Sequence, residues 1–397
     1  MQLQNKIDKR RSENSLRVLQ PNKVGLIDFC SNDYLGFARS TFLAQQADLI
    51  LKAEFGLNKR DIRLNGSTGS RLLNGNSDFV EALEAQIASF HDGPASLIFN
   101  SGYDANLGFY STVPTRHDLV LFDEYCHASI RDGLRLGEAK AIKFRHNDLM
   151  HLVDLLNGES LSFNRLSNTV YIAVESVYSM DGDQAPLAEL VDICKQYNAK
   201  LVVDEAHATG VLGLQGRGVV FDLGLQNDVF ARLFTFGKAI GGHGAAIVGA
   251  EVLRSYLINF CRPFIYSTAL PPVSLVYIKA AYDYLALQKV NSAGDRLSEQ
   301  VQLLSLIAHF KANQPQPSSP SAYWVESQSA IQCLVLGDVT QVKMAAQIIN
   351  EKGFDVKPIL SPTVQKGTER LRICLHAFNS VDEVDALLKV LHEIVKQ

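Results

Sequence analysis

The feature that most limits the possible folds is an alternation of apolar strands and helical segments through the middle of the chain. The runs Ala95–Phe99, Thr169–Glu175 and Lys200–Asp204 are short, apolar and strand-like, while Gly102–Thr112 and Pro186–Tyr197 carry helical patterns. Parallel strands need helical crossover connections, and strands buried on both faces read as continuous apolar runs. The sequence therefore predicts an α/β fold in which helices cover both faces of a largely parallel sheet.

The C-terminal part of the chain follows a different pattern. A long apolar helix is predicted over residues 272–290, and the polar run Ala312–Ser321 is typical of an exposed loop. Short strands and helices follow, which indicates a compact α+β unit. The chain of 397 residues also exceeds an average domain of about 100–200 residues. We therefore predict an N-terminal segment (1–45), a large domain (46–285) and a small C-terminal domain (286–397).

Composition and charge exclude several classes of protein. With 47% hydrophobic residues, 20% charged residues and a net charge of −4, neither nucleic acid nor an anionic membrane is expected as a partner. Residues 1–20 predict an amphipathic helix with a Lys-Arg-Arg cluster on its solvated side, not a signal peptide. No apolar run is long enough for a membrane span. Six cysteines without a CxxC pair favour reduced thiols in a cytoplasmic protein, and no metal site is expected.

Two chemically informative side chains lie near the ends of predicted strands. Asp204 ends a buried strand, where ligands of open α/β sheets bind, although an aspartate that only caps the next helix gives the same pattern. Lys238 lies among small and apolar residues, and Gly237, Gly241 and Gly242 would let a bulky group approach the backbone. A desolvated lysine has a lowered pKa that suits Schiff-base chemistry. An ordinary surface lysine is the alternative.

Two further motifs suit a planar, phosphorylated ligand. Gly102 follows a strand and opens a helix, where free N–H groups and the positive end of the helix dipole attract phosphate. The surrounding sequence is neither GK[ST] nor GxGxxG, which weakens a nucleotide reading. His127 offers a flat aromatic ring that could stack on a planar cofactor, although a lone histidine is more often structural.

The order of Gly102, His127, Asp204, His207 and Lys238 along the chain is more specific than any one of these residues. This order resembles the α-oxoamine synthases, which are fold-type I enzymes dependent on pyridoxal 5′-phosphate. Further stretches are similar to that family across nearly the whole chain: SNDYLG (31–36), GSTGSRLLNG (66–75), DEYCHASI (123–130), HND (146–148), SVYSMDGDQAPL (176–187), VVDEAHATGVLGLQGRG (202–218) and IYSTALPP (265–272). The resemblance implies a large domain with a mostly parallel seven-stranded sheet and a smaller C-terminal α+β domain.

The resemblance also implies roles for residues around the cofactor ring. Lys238 would hold pyridoxal 5′-phosphate as a Schiff base, and Asp204 would pair with the pyridine nitrogen, which makes the ring an electron sink. His207 and Ser179 would lie near the phenolic oxygen of the ring. His127 would stack on the ring face and help to protonate the reacting carbon.

A second group of implied residues holds the cofactor phosphate. The backbone of Gly102 and Tyr103 and the hydroxyl of Thr235 would bind it within one subunit. Thr268, or its neighbour Ser267, would reach the phosphate of the adjacent subunit, because the active sites of this family form between the two copies of a homodimer.

A third group of implied residues binds the substrates. Arg372 would clamp the amino-acid carboxylate, with Arg370 as an alternative two residues away on the same side of a strand, and Asn32 would add a hydrogen bond. Thr363 and Arg17 match positions that contact the acyl substrate; for Arg17, a solvated arginine on a terminal helix is the less favoured alternative.

The reaction implied by the resemblance is a decarboxylative condensation of an amino acid with an acyl thioester. The TFGK, MDGD-APL and YST-LPP motifs favour L-alanine and a pimeloyl thioester, carried on CoA or on a carrier protein, as in biotin synthesis. Glycine or serine with another acyl group is an alternative within the family, and an aminotransferase is an alternative on the same fold. A non-catalytic partner subunit is a third alternative, although Lys238, Asp204 and His207 are all present.

Overall fold

A seven-stranded sheet is the framework that positions most of the residues singled out above. The computed structural model describes residues 2–19, 21, 24–55, 64–158, 168–287 and 298–396. The strands of this part of the chain are β1 (Ile27–Asp28), β2 (Ala95–Phe99), β3 (Leu119–Asp123), β4 (Lys140–Phe144), β5 (Val170–Glu175), β6 (Lys200–Asp204), β7 (Ala231–Thr235), β8 (Ala245–Gly249), β9 (Tyr323–Trp324), β10 (Ile331–Val335), β11 (Phe354–Asp355), β12 (Lys357–Ile359) and β13 (Arg370–Cys374).

The main sheet has the strand order β2-β8-β7-β6-β5-β3-β4. Strand β8 runs antiparallel to β2 and β7, and the other neighbouring strands are parallel. The prediction of a mostly parallel seven-stranded sheet is therefore confirmed. Because the carboxyl ends of parallel strands lie at one edge, β5, β6 and β7 present the residues that follow them at the same edge.

Helices surround this sheet and also form much of the rest of the described chain. In the described ranges they are α1 (Gln2–Ser12), α2 (Thr41–Phe55), α3 (Asp78–Phe90), α4 (Gly102–Thr112), α5 (Ala128–Leu136), α6 (Leu149–Asn157), α7 (Leu187–Tyr197), α8 (Val219–Asp222), α9 (Glu251–Phe260), α10 (Arg262–Ile265), α11 (Pro272–Ala286), α12 (Ser298–Asn313), α13 (Val339–Glu351) and α14 (Val381–Val395).

Each face of the sheet has its own apolar core. On β6, Val202 packs with α4, α5 and α9 on one face, whereas Val203 packs with α6, α7 and α8 on the other. Successive strand residues point to opposite faces, so a continuous apolar run is buried on both sides. This arrangement confirms the α/β fold that the alternating pattern predicts.

The chain divides into two compact units that do not follow one cut in the sequence. The larger unit contains Leu35–Tyr178 and Gln184–Gln300, and the smaller contains Met1–Tyr34, Ser179–Asp183 and Val301–Gln397. The sequence-based boundaries after residues 45 and 285 stay a prediction of domain organisation.

The smaller unit is built on an antiparallel sheet of four strands in the order β12-β13-β10-β9. Strands β1 and β11 form a short parallel pair beside it. The C-terminal helix α14 begins with a capping box in which Ser380 and Glu383 satisfy each other's backbone N–H groups. No helix in the described residues is long and apolar enough to cross a membrane.

The N-terminal helix is shorter than predicted. It ends at Ser12, and Asn14 then adopts a φ of 53°, a left-handed conformation that terminates helices. No residue of α1 is buried, and Leu3 is 82% exposed, so its apolar side is uncovered within this single chain. A second helix, predicted over residues 272–290, corresponds to α11 (Pro272–Ala286), and its predicted end at residue 290 lies outside the described residues.

The polar run predicted as a loop is partly helical. Its first two residues belong to α12, which ends at Asn313. The remaining residues up to Ser321 form neither helix nor strand, as the prediction requires.

Candidate active site

A candidate phosphate-binding site, called the phosphate seat below, lies at the N-terminus of α4, where β2 leads into this helix. Ser101 caps the helix, since its side chain accepts a hydrogen bond from the Asp104 N–H. The backbone N–H groups of Gly102 and Tyr103 donate to no acceptor in the described part of the chain. A Cβ atom at Gly102 would lie 2.5 Å from Thr235 Oγ1, so only glycine allows the Thr235 hydroxyl to come this close. Two free N–H groups and a hydroxyl at a helix N-terminus suit a phosphate.

Asp204 lies at the carboxyl end of β6 and is 5% exposed. Its Oδ1 accepts a hydrogen bond of 2.9 Å from the Ala206 N–H, and its Oδ2 accepts one of 2.7 Å from Asn106 Nδ2. The same amide donates to Ser129 Oγ at 3.0 Å, and that hydroxyl lies 2.7 Å from His127 Nδ1. A hydrogen-bonded chain therefore joins two of the predicted site residues.

The members of this chain that sequence reasoning missed are Asn106 and Ser129. Asn106 lies four residues after Gly102, and residues at this spacing share one face of a helix. Ser129 lies two residues after His127, whose ring accepts from the Ser129 N–H at the start of α5. The available signals were helical spacing from Gly102 for Asn106 and the helix-capping position of His127 for Ser129.

Lys238 follows β7, and its Nζ lies 2.8 Å from His207 Nε2. Lys238 is half-buried and His207 is buried, so the amine is held at the edge of the protein interior. One of the flanking glycines, Gly241, has a different role from the one predicted for it, whereas the space beside Gly237 is largely open. A Cβ at Gly241, whose φ is 69°, would lie 2.3 Å from the Ala38 backbone nitrogen, so the group approaching this glycine is the protein's own chain.

His127 shares an electrostatic neighbourhood with these groups. Its ring is partly accessible, yet the surrounding protein desolvates it enough to lower its pKa. The negative charge of the Asp204 carboxylate raises the pKa of His127, and the positive charge of Lys238 lowers it further. A neutral imidazole is therefore favoured at this position near neutral pH.

A buried carboxyl that the sequence analysis did not single out lies beside Asp204. Glu175 ends β5, is paired with Asp204 in the parallel register, and is 2% exposed. The His127 backbone N–H donates to this carboxyl, but Oε1 has no hydrogen-bond partner in the described residues. Burial, reinforced by the Asp204 charge, raises the pKa of Glu175 to about 8. Glu175 therefore keeps its proton at neutral pH, because two buried carboxylates side by side resist ionising together.

This proton makes the stability of the cofactor-free protein depend on pH. Between about pH 4.5 and pH 8 the unfolded chain loses the Glu175 proton while the folded chain keeps it, so stability should fall as pH rises. In Glu175→Gln this fall should largely disappear, leaving the variant more stable than the wild type at pH 8 by on the order of 2–4 kcal/mol. Urea unfolding at a series of pH values measures the difference. Glu189→Gln, at an exposed carboxylate, is the control and should keep the wild-type slope; an unaltered slope in Glu175→Gln would contradict the assignment.

The smaller unit separates the roles of two arginines on β13. Arg370 forms a buried ion pair with Asp181. Arg372 is 7% exposed and bonds only neutral acceptors in the described residues: the Ser179 carbonyl at 2.7 Å, Cys374 Sγ at 2.8 Å, Asn32 Oδ1 at 3.0 Å and the Tyr34 hydroxyl at 3.4 Å. A buried cation without a counter-ion is unfavourable, so Arg372 is the one suited to bind a carboxylate. Both Asn32 and the backbone of Ser179 are thus placed beside Arg372.

The other two predicted substrate residues are also brought together in the smaller unit. Arg17 Nη2 donates to Thr363 Oγ1 at 3.1 Å, although the residues are far apart in the sequence. Both side chains are exposed.

Thr268 lies in a loop of the larger unit that the GSTGSRLLNG motif supports. The Thr268 carbonyl accepts from Asn100 Nδ2 at 2.8 Å, and the Ala269 N–H donates to the Gly69 carbonyl at 3.0 Å. Thr268 is exposed and Ser267 is half-buried, so Thr268 is the more accessible of the two hydroxyls.

The larger unit thus assembles a phosphate seat, a buried carboxylate and an amine, and these fit pyridoxal 5′-phosphate. The aminotransferase class I and II family matches residues 24–391. The chain belongs to this family. The 8-amino-7-oxononanoate synthase of Emericella nidulans is 41% identical over 394 residues, which cover 96% of this chain and 93% of that protein.

Two solved structures are similar over nearly the whole chain. The serine palmitoyltransferase of S. paucimobilis, with PLP–myriocin bound, has a TM-score of 0.83 at 26% identity and covers 100% of this chain and 97% of its own. The 8-amino-7-oxononanoate synthase of Francisella tularensis has a TM-score of 0.74 at 29% identity, with 94% and 99% covered. Within the family, the chain groups with the α-oxoamine synthases, as the motifs imply, and its cofactor is pyridoxal 5′-phosphate.

Loss of the Asp204 carboxylate should weaken cofactor binding. A buried, charge-assisted hydrogen bond is worth about 1.5–3 kcal/mol, so Asp204→Ala should lower the affinity for pyridoxal 5′-phosphate by about 10–100-fold and slow proton abstraction. Quenching of protein fluorescence by added cofactor measures the affinity, and initial rates measure turnover. Asp222→Ala, on the exposed side of α8, should leave both unchanged; near-normal affinity and rates in Asp204→Ala would exclude the proposed pairing.

Proposed function

We propose that this enzyme condenses L-alanine with a pimeloyl thioester, releasing CO2 and the free thiol and forming 8-amino-7-oxononanoate for biotin synthesis. The observation that carries the proposal is that the larger unit contains an amine at Lys238, a buried carboxylate at Asp204 and a phosphate-binding helix start at Gly102, which suit the aldehyde, the ring nitrogen and the phosphate of the cofactor. The identity of 41% to a synthase of this type supports the choice of reaction.

The residues of the larger unit hold the cofactor and move protons. The N–H groups of Gly102 and Tyr103 and the Thr235 hydroxyl would bind its phosphate. Asp204 would pair with its ring nitrogen, His127 would stack on the ring, and His207 would lie near its phenolic oxygen. Ser179, which the resemblance assigns to the same oxygen, belongs to the smaller unit. When bound, pyridoxal 5′-phosphate supplies an electron sink for negative charge on the alanine α-carbon. The amine of Lys238 removes the proton from that carbon and later returns one to it, with His207 positioning Nζ through the bond of 2.8 Å.

The residues of the smaller unit bind the substrates. Arg372 clamps the alanine carboxylate with two parallel hydrogen bonds, and Asn32 holds the guanidinium in place through the bond of 3.0 Å. Arg17 and Thr363 contact the acyl donor. A carbon–carbon bond then forms between the alanine α-carbon and the thioester carbonyl, the carbon–sulfur bond breaks, and the alanine carboxylate leaves as CO2.

A homodimer would complete the site. Three large apolar side chains near Thr268 are exposed. Leu72 (51%) and Leu73 (84%) lie in the GSTGSRLLNG motif that supports the Thr268 loop, and Tyr266 (72%) lies two residues before Thr268. Such exposure favours burial against a second copy, whose cofactor phosphate Thr268 would reach. The six cysteines all lie in the described residues and are free thiols there, and we place the protein in the cytoplasm.

Turnover with defined substrates tests the proposal. The enzyme loaded with pyridoxal 5′-phosphate should release CoA from pimeloyl-CoA in the presence of L-alanine, and mass spectrometry should identify 8-amino-7-oxononanoate. Glycine and serine should support much slower thiol release.

A second candidate is a condensation that uses serine and a long acyl thioester. The TM-score of 0.83 to a serine palmitoyltransferase favours it. Preference for serine with palmitoyl-CoA in the same assay would select this reaction. If thiol is released neither with L-alanine and pimeloyl-CoA nor with serine and palmitoyl-CoA, both candidate reactions are excluded.

A further inference from the structure

Glu84 is a buried carboxylate of the larger unit that the proposed mechanism does not use. It lies on α3 and is 2% exposed. Its Oε1 accepts hydrogen bonds from Arg71 Nη1 at 2.7 Å and from the Ile98 N–H of β2 at 2.8 Å. Its Oε2 accepts from Arg71 Nη2 at 3.2 Å and from Arg254 Nη2 at 3.0 Å. One carboxylate therefore joins a helix, a strand and two arginines that are distant in the sequence.

The pair of Arg71 and Glu84 is a buried ion pair with a fixed geometry. The two side chains are 9% and 2% exposed. The guanidinium binds both carboxylate oxygens, and such a bidentate pair fixes orientation as well as distance. Removing one partner of a buried pair leaves an uncompensated charge in the protein interior. The Arg71 side chain is therefore held firmly in place by Glu84.

Arg71 also controls the shape of the helical turn that it begins. This turn, Arg71–Gly75, belongs to the GSTGSRLLNG motif. Arg71 Nε donates a hydrogen bond of 2.6 Å to Oδ1 of Asn76, the residue that directly follows the turn. One guanidinium thus links the two ends of the turn while its other nitrogens are anchored on Glu84. The shape of the turn therefore depends on the buried ion pair.

The turn packs against the loop that contains Thr268. A Cβ at Gly75 would lie 2.6 Å from Ala269 Cβ and 2.5 Å from the Gly69 carbonyl oxygen, so the three residues are in close contact. The Ala269 N–H donates to the same Gly69 carbonyl at 3.0 Å. Thr268 directly precedes Ala269 in the chain. The position of the Thr268 hydroxyl therefore depends on the turn that Arg71 begins.

We propose that the buried pair of Arg71 and Glu84 positions the Thr268 hydroxyl on the phosphate of the cofactor in the second copy of the dimer. The inference rests on the proposed function, in which Thr268 reaches that phosphate. A hydroxyl donor must lie about 2.5–3.0 Å from its acceptor, so a shift of the loop by about 1 Å breaks the hydrogen bond. The affinity for pyridoxal 5′-phosphate thus depends on a carboxylate buried behind the loop.

A comparison of two ligands isolates the contribution of the phosphate. Glu84→Gln should weaken the binding of pyridoxal 5′-phosphate to the cofactor-free full-length protein about tenfold, which corresponds to one hydrogen bond to a charged group. Binding of pyridoxal, which has the same ring and aldehyde but no phosphate, should change by less than about twofold. Quenching of protein fluorescence measures both affinities. A merely structural role of Glu84 would weaken the two ligands alike.

Arg71→Lys is a second variant that keeps the test valid if Glu84→Gln does not fold. Lysine keeps the positive charge but lacks the planar fork that binds two carboxylate oxygens and Asn76 at once. This variant should show the same selective loss. Glu251→Gln is the matched control, because it removes an exposed contact of 3.7 Å with Arg254 and leaves the turn intact. It should bind both ligands as the wild type does.

A double-mutant cycle shows whether Glu84 acts through Thr268. Thr268→Val alone should weaken the binding of pyridoxal 5′-phosphate about tenfold, because the hydroxyl is removed. Glu84→Gln/Thr268→Val should bind within about twofold of Thr268→Val, because the position of the loop matters little once the hydroxyl is absent. Losses that multiply, or an unchanged affinity in Thr268→Val, would overturn the proposal.

These outcomes are separate from those of the proposed reaction, since the binding measurements use no substrate. Equal weakening of both ligands in Arg71→Lys, or unchanged binding of pyridoxal 5′-phosphate, would overturn the positioning role while the condensation of alanine with pimeloyl-CoA stands. The selective loss, found in a protein that does not release CoA from pimeloyl-CoA, would keep the positioning role and reject the reaction.

Discussion

Replacement of Lys238 by alanine should lower turnover by at least about 10³-fold, since the variant lacks the amine that removes and returns the proton at the alanine α-carbon. The folded state should be largely unaffected, because Lys238 is only half-buried and the hydrogen bond between its Nζ and His207 lies at the edge of the protein interior. Initial rates of CoA release measure turnover, and thermal unfolding of the cofactor-free protein measures stability.

Covalent attachment of the cofactor gives a readout of Lys238 that is independent of rate. After borohydride reduction the wild type should gain the mass of one cofactor per chain, and Lys238→Ala should gain none. Lys140→Ala, at an exposed lysine on β4, should behave as the wild type in all three measurements. Retained turnover or retained attachment in Lys238→Ala would remove the basis of the proposed mechanism.

Substitution of Arg372 by methionine should raise the KM for alanine by at least about 100-fold. Two charge-assisted hydrogen bonds to the carboxylate are lost, each worth about 1.5–3 kcal/mol. The cofactor-free protein should lose less stability than after loss of Arg370, because removal of the Arg372 guanidinium leaves neutral acceptors and no buried carboxylate unpaired in the described residues. The dependence of CoA release on alanine concentration gives KM, and urea unfolding gives stability.

Arg370→Met is the matched control on the same strand. It breaks the buried pair with Asp181, so it should cost about 3–5 kcal/mol of stability. In the fraction that remains folded, the KM for alanine should change far less than in Arg372→Met. The reverse pattern, with alanine binding lost only in Arg370→Met, would exchange the roles of the two arginines.

Much of the larger unit could be predicted from local sequence patterns. Strands β2 and β6 and helix α4 have the predicted bounds. Buried strands are continuous apolar runs, and the residues that cap or interrupt helices lie next to them in the chain. These signals do not depend on distant contacts.

The predictions that failed depend on contacts between distant segments. The helix predicted over residues 1–20 stops at Ser12, because an uncovered apolar side does not hold a terminal helix together beyond the turn at Asn14. Gly241 is required by the backbone of Ala38, about two hundred residues earlier in the chain, rather than by a ligand. Neither fact has a signature in the neighbouring sequence.

The sequence by itself determined the α/β fold class, the family and the candidate site residues around Lys238, since these follow from strand–helix alternation and from motifs of neighbouring residues. Only the tertiary structure decided that Arg370 is neutralised by Asp181 and that Arg372 is not, and that Glu175 lies beside Asp204 and keeps its proton. The physical reason is that charge pairing and desolvation depend on which distant segments are packed together, and local periodicity does not specify that packing.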